Sequence, residues 1–234
     1  LWGYTSVGLA QSDEEMKEWL TSNKPNWGSK WQAGDVKYKD LTGEGEVTPG
    51  ASTLENHGDL KRIGNNSPRY RVGLNLDAAW KGIDFSIFFQ GVLKRDWMFD
   101  AGDPYFWGAG SGMWQAACFE EHMDYWTPEN TDAYYPKPYF NETKNQQAQD
   151  AYMQKASYLR CKNIQLGYTL PTHITEKAGI SNCRIYLSCD NLFTITGLSS
   201  VYDPEAFGSY DGYGTSGKTY PLQRTISVGV NLNF

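Results

Sequence analysis

The 234 residues carry a formal net charge of −6 and a mean hydropathy of −0.60. This balance lacks the basic footprint that a nucleic-acid partner requires, and no run of about 18 apolar residues is present to cross a membrane as a helix. The 9 Trp, 16 Tyr and 24 Gly suit strands, turns and aromatic-lined surfaces better than helix bundles. Membrane crossing by strands stays open, because its hydropathy signal is far weaker.

The first third reads as loop with one short helix. Ser12 as N-cap and Glu15 three residues on form a capping box, with Met16, Trp19 and Leu20 on one face. The segments "NKPNWGSKWQAGD" and "LTGEGEVTPGAS" are rich in turn formers. In the second, Asp40 and Glu44 stand at alternate positions before Gly45, as at the start of a calcium loop. Ala51 falls at the twelfth position, where it cannot ligate, so a plain turn is the favoured reading.

Strands begin at Ser67-Pro68. In 70–80, Tyr70, Val72, Leu74, Leu76, Ala78 and Trp80 share a face opposite Arg71, Gly73, Asn75, Asp77 and Ala79. After a tight Lys81-Gly82 turn, Ile83, Phe85, Ile87 and Phe89 oppose Asp84, Ser86 and Gln90, while Phe88 breaks the pattern. Alternation returns in "KNIQLGYTL" from Lys162, in "CRIYLSCDNLF" from Cys183 and in "TISVGVNLNF" from Thr225. Strands in soluble sheets average about 5–6 residues. These run to about ten, close to the 9–11 tilted residues that cross a bilayer.

The connections strengthen that expectation. They are short at 81–82, long at about 93–157, medium at 171–182 and long at about 197–223. Outer-membrane barrels pair short periplasmic turns with long outer loops in this way. Five strands cannot close a barrel, and free edges in lipid leave backbone groups unpaired. The remaining strands are therefore expected from a longer parent chain. Cys118, Cys161, Cys183 and Cys189 read as unpaired; Cys183 and Cys189 would stand roughly 20 Å apart on one strand.

Along essentially all 234 residues the chain resembles the C-terminal portion of the SusC/RagA family of TonB-dependent outer-membrane transporters from Bacteroidetes. The resemblance rests on an ordered series. "LWGYTSVGL", "GDVKYKDLTGEGEV" and "RIGNNSPRYRVGLNL" come first, then "AAWKGIDFSIFFQG" and "YWTPENTDAYYPK". "YLRCKNIQLGYTLP", "NLFTITG", "YDPE" and "YPLQRTISVGVNLNF" complete it. It implies an all-β fold, the last five strands of a large, roughly 22-stranded antiparallel transmembrane β-barrel. Residues 1–69 would be an extracellular loop region with a short helix, and 70–234 the strands with two large outer loops. The family implies uptake of oligosaccharides, or of peptides in some members, with no enzymatic step and no cofactor. The implied partners are a SusD-like surface lipoprotein, membrane lipid, the remainder of the barrel and its plug. A TonB complex would act through an N-terminal part outside this chain. The terminal Phe234 resembles the family's barrel-assembly signal.

Candidate ligand contacts lie in the long loops, where rings can stack on the C–H faces of sugars. Tyr105, Trp107, Trp114 and Trp126 are the candidates in the first loop, and Tyr210 and Tyr213 in the second. Trp126 and Tyr135 fall in the "YWTPEN…YP" block and read as more structural; the bland reading is that all the rings form the loop's own core. Cys118 and His122 have a metal-pair spacing without a third ligand. Glu120, Glu121 and Asp124 suggest a hydrolase carboxylate pair only weakly, a solvated acidic face being the simpler reading. The competing function class is a soluble β-rich carbohydrate-binding module with aromatic loops.

Overall fold

The computed structural model describes residues 1–110, 117–140, 142–206 and 220–234. Its main sheet contains five long strands: Arg69–Trp80 (β1), Ile83–Lys94 (β2), Gln154–Thr169 (β3), Asn182–Gly197 (β4) and Thr225–Asn233 (β5). Each pairs antiparallel with its sequence neighbour, giving a meander in the order β5-β4-β3-β2-β1. Both edges, β1 and β5, are paired on one side only among the described residues. Each leaves a row of amides and carbonyls for a further strand.

The register turns the alternation seen in sequence into continuous rows. Ala78, Phe85, Leu166, Leu187 and Val228 lie side by side across the sheet, as do Leu76, Ile87, Ile164, Cys189 and Ile226. One residue over, on the opposite face, runs Asp77, Ser86, Gln165, Ser188 and Ser227. Leu166, Leu187 and Val228 are 51%, 49% and 75% exposed. An apolar band this large is untenable in water and expected against lipid. Phe88 falls on the polar face, its ring over Gly73.

The strands β3 and β4 are longer than the alternation predicts, at 16 residues each. Bulges explain the shortfall. Between Cys161 and Asn163 the extra residue Lys162 shifts the pairing with β2, and Asn191 at φ 52° accompanies a second shift in β4. Past the bulge the parity of β3 reverses, so Arg160 shares the polar face with Gln90 and Thr194. A period-2 reading stops where the parity reverses. Lys81 and Gly82 both have positive φ, 47° and 86°, the requirement of a two-residue type I′ hairpin.

At the opposite end of the strands from that hairpin, residues 1–68 fold together with the 95–153 connection. Short ladders join Trp2–Gly3 to Lys61–Arg62, Ser6–Leu9 to Val36–Tyr38, and Lys24–Pro25 to Glu46–Val47. The helix Asp13–Trp19 (α1) starts as expected, with Ser12 Oγ accepting the Glu15 amide at 3.1 Å. Glu15 also accepts the Gln11 amide at 2.6 Å. Tyr4, Val36, Tyr38 and Val47 share one buried core with Phe99, Phe106, Trp107, Tyr152 and Tyr202. This outer body has a single interior.

Candidate functional site

The outer body is keyed by a buried polar turn, Lys144–Gln146. Lys144 Nζ lies 2.9 Å from Asp35 Oδ2, both sealed from water, with the Tyr139 ring 3.9 Å from the ammonium. Asn145 donates to Asp35 Oδ1 at 2.8 Å and accepts the Val36 amide at 3.0 Å. Tyr38 donates its hydroxyl to the Lys144 carbonyl at 3.1 Å, and full burial pushes that hydroxyl well above the usual phenol value. These bonds satisfy groups that would otherwise be costly to bury.

The second outer connection folds back onto the same body. Tyr202 donates to Asp103 Oδ1 at 2.8 Å, and Ser199 Oγ to Glu121 Oε1 at 2.6 Å. Asp203 accepts from Arg160 on β3 at 2.7 Å, and Glu205 from Lys162 at 3.0 Å. The Leu222 amide, beyond the segment 207–219, returns to Asp203 at 2.9 Å. Burial lifts the Asp103 carboxyl above its usual value, outweighing the Tyr202 hydroxyl and the amides of Phe106 and Tyr105. Burial also pushes Asp203 up, but the Glu205 amide and the Arg160 guanidinium overcome it and hold the group low.

Several hollows open in the outer body, one of about 580 Å³ between residues 6–11 and 131–134. A cavity of about 310 Å³ lies between the turn Glu120–Met123 and the segment 136–146, walled by Trp107, Tyr125, Tyr135 and Tyr139. A shallower cleft of about 400 Å³ is bordered by Glu121, Asp124, Tyr134, Tyr135 and Ser199.

The candidate rings divide. Trp107 is buried, with its indole N–H donating to the Asp100 carbonyl at 3.1 Å and its ring edge-on to Tyr152 at 4.9 Å. One side of Trp107 still borders the cavity of about 310 Å³. Trp126 is buried against Gly34 and borders none of these hollows. Tyr105 packs beside Phe119 with ring centres 6.0 Å apart. Trp114, Tyr210 and Tyr213 lie outside the described residues.

The Asp40 carboxylate accepts the amides of Thr42, Gly43 and Gly45, and Glu44 stays exposed. Desolvation pushes Asp40 up, while the Gly43 and Gly45 amides and the Thr42 hydroxyl overcome it and lower its pKa. That is the bonding of a plain turn. His122 is committed as well: Nδ1 accepts the Phe119 amide at 3.0 Å, and Nε2 lies 2.9 Å from the Tyr105 carbonyl. Among the described residues, no three His, Cys, Asp or Glu side chains converge as a cation site.

Comparison with known proteins follows the same lines. No family model matches the chain. TonB-dependent receptor P3 of Formosa agariphila is 30% identical over 208 residues, covering 86% of this chain and 19% of that receptor. TonB-dependent receptor P26 of the same organism is 26% identical over 208 residues, covering 86% of this chain and 20% of the receptor. The chain belongs with the TonB-dependent receptors. It spans about a fifth of the length of these curated relatives. The solved RagAB peptide transporter superposes on 100% of this chain and 22% of its own, with a TM-score of 0.66 at 23% identity. RagAB in its open-open state gives 0.64 at 24% identity, again over 100% of this chain and 22% of the other.

The SusC/RagA resemblance therefore holds, and with it the outer-membrane β-barrel fold; the soluble-module alternative gives way. In this TonB-dependent receptor chain, sequence reasoning missed the Asp35–Lys144 pair and the Arg160 and Lys162 anchors. "KNQ" reads as one more polar stretch of loop, and only the fold brings it against residues 35–38. "YDPE" did carry a signal, as a unit of the resemblance, and Tyr202, Asp203 and Glu205 within it each hold a partner outside the loop.

Proposed function

We propose that this chain forms part of the wall and outer body of an outer-membrane importer for oligosaccharides or peptides. The supporting observation is the sheet itself. One face is a continuous apolar band, the other is polar, and both large connections leave from one end. Such a wall insulates a hydrophilic passage from lipid. The curated relatives are named as receptors, and the RagAB structures as a peptide transporter and importer, which favours transport over catalysis.

In this reading residues 1–69 belong to the extracellular region, and 70–234 supply strands and outer loops. A SusD-like lipoprotein covers the outer body, the rest of the barrel and its plug complete the pore, and a TonB complex drives gating. No covalent bond changes. Trp107 touches cargo through its cavity-facing side. Tyr105 and Trp126 support the loop, while Trp114, Tyr210 and Tyr213 remain proposed contacts. The test is uptake of labelled oligosaccharides and peptides by cells carrying or lacking the full-length receptor. Loss of uptake of one cargo class on deletion, and equally on removal of TonB, is the expected result. Unchanged uptake of every cargo would overturn the reading.

A further inference from the structure

The aromatic-walled cavity of about 310 Å³ in the outer body has an unusual lining. Its walls are the rings of Trp107, Tyr125, Tyr135 and Tyr139 with Pro136 and Pro138. Of the polar groups that reach it, the Tyr139 hydroxyl accepts from Gln32 at 2.8 Å, and the His122, Asn145 and Gln146 side chains are also engaged within the protein. His122 uses both ring nitrogens on the Phe119 amide and the Tyr105 carbonyl. Asn145 is taken by Asp35 and Val36. Gln146 accepts from the Gly102 amide at 2.7 Å and donates to the Gly110 carbonyl at 2.6 Å.

A sugar ring carries hydroxyls around its rim, and any that the Tyr125 and Tyr135 hydroxyls, Lys137 or Glu142 did not reach would be buried here without partners. An apolar ring loses nothing on entering and gains burial against four aromatic walls. At about 310 Å³ the cavity lies at the small end of ligand pockets, the size of one side chain rather than of a whole oligomer. Two groups of opposite sign, Lys137 and Glu142, also border it. The Lys137 ammonium stands 5.9 Å from the Tyr139 ring centre, and the Glu142 side chain is 41% exposed. Glu142 also stands 3.7 Å from the Lys144 ammonium; a cation and an anion at the border complement a chain that carries both charges and both kinds of hydrogen-bonding group. A peptide has these, and a neutral glycan lacks the charges.

We propose that this cavity is a side-chain pocket that captures one apolar, preferably aromatic, residue of an extended peptide. Lys137 and Glu142 engage the peptide on either side of that residue. The inference rests on the importer reading and narrows the cargo at one place in it.

The experiment uses the full-length receptor in detergent and three probes: a pentapeptide with central Phe, the same peptide with central Ala, and a neutral glucose pentasaccharide. Binding is followed by calorimetry in the wild type and in Ala109→Trp and Met123→Trp. Both positions line the cavity and are exposed, so the new indoles fill or cover it without entering the core. Heat-modifiable mobility on gels verifies that each variant is a folded barrel. The expected result is at least tenfold tighter binding of the Phe peptide than of the Ala peptide. Either tryptophan should abolish that difference and leave the Ala peptide unaffected. Equal binding of the two peptides, or retention of the Phe preference in both folded variants, would overturn the proposal. So would a pentasaccharide whose binding is lost in both variants while the Phe peptide is unaffected. Uptake by cells separates the two readings. If the pocket test fails but uptake still depends on the receptor, only the pocket falls; uptake independent of the receptor removes the importer reading.

Discussion

Tyr202 donates its hydroxyl to Asp103 across 99 residues of chain, while its ring stacks on Phe99 with centres 4.1 Å apart. The second outer connection is thereby tied to the first by a donor and a ring, beside the Ser199 bond to Glu121. Tyr202→Phe keeps the ring and removes the donor. Segment 198–206 should then open more readily by about 1–2 kcal/mol. Hydrogen exchange on the full-length receptor would report this as lost protection there, with β2 and β3 unchanged.

Asp103 gives the same contact a pH dependence. Its folded pKa is raised by burial, so the folded state binds the proton more tightly than the unfolded one. The contribution is fully present below the unfolded carboxylate value and is lost as pH rises through the folded value. Protection of 198–206, corrected for the intrinsic rate, should therefore decline as pH rises above the ordinary carboxylate range. Asp103→Asn should flatten that decline. Asp203 is shifted the opposite way, and its contribution disappears only below the ordinary carboxylate range.

The buried pair of Lys144 and Asp35 should be the most sensitive polar contact of the outer body. Lys144→Met strands a buried carboxylate, a change that costs about 3–5 kcal/mol. Limited proteolysis should then cut within 1–68 or 117–153, while the strands resist. Adding Asp35→Asn should restore part of the resistance, because the unpaired charge is gone. A double variant as fragile as the single would contradict this account.

Neighbouring residues of β4 should tolerate charge very differently. Leu187 is on the apolar face, and an arginine there should cost about 2–4 kcal/mol at mid-bilayer depth. Ser188→Arg, one residue along on the polar face, should assemble normally. The amount of heat-modifiable barrel recovered from outer membranes compares the two directly.

Gly167 makes room for a bond between strands that do not touch. Arg184 on β4 reaches over it to Asp84 on β2, bonding also to Gln165 at 2.8 Å. A Cβ at position 167 would meet the ends of both side chains, which can swing aside. Gly167→Ala should therefore forfeit the bridge, about 1 kcal/mol, and leave the barrel assembled. Thermal unfolding of the receptor in detergent should show a small drop, matched by Asp84→Asn and not increased in the double variant.

The strands were legible because lipid imposes a rule on every second residue, and Leu74, Leu76, Ile185 and Leu187 obey it. Legibility failed where the rule lapses: at Lys162 the bulge reverses parity, and the first half of β3 reads as loop. The body over the strand ends was mostly opaque. Phe106 and Trp107 pack on Phe99, Tyr135 and Tyr152 of their own connection, the self-made core that a ring-rich loop suggests, whereas Trp126 is closed by Gly34, a partner that no local pattern announces. Polar keys are harder still, since Asp35 and Lys144 in isolation resemble solvated charges.

The contact between residues 35–38 and 144–145 also has a temporal consequence. The two segments are separated by more than one hundred residues, with β1 and β2 synthesised between them. Contacts this distant in sequence are slow to form unless intervening structure shortens the loop between them. The β1–β2 hairpin does so, returning the chain to the level at which residue 68 left. The interior of the outer body is therefore expected to set more readily once that hairpin is in place, so that a finished cap reports on a wall already begun.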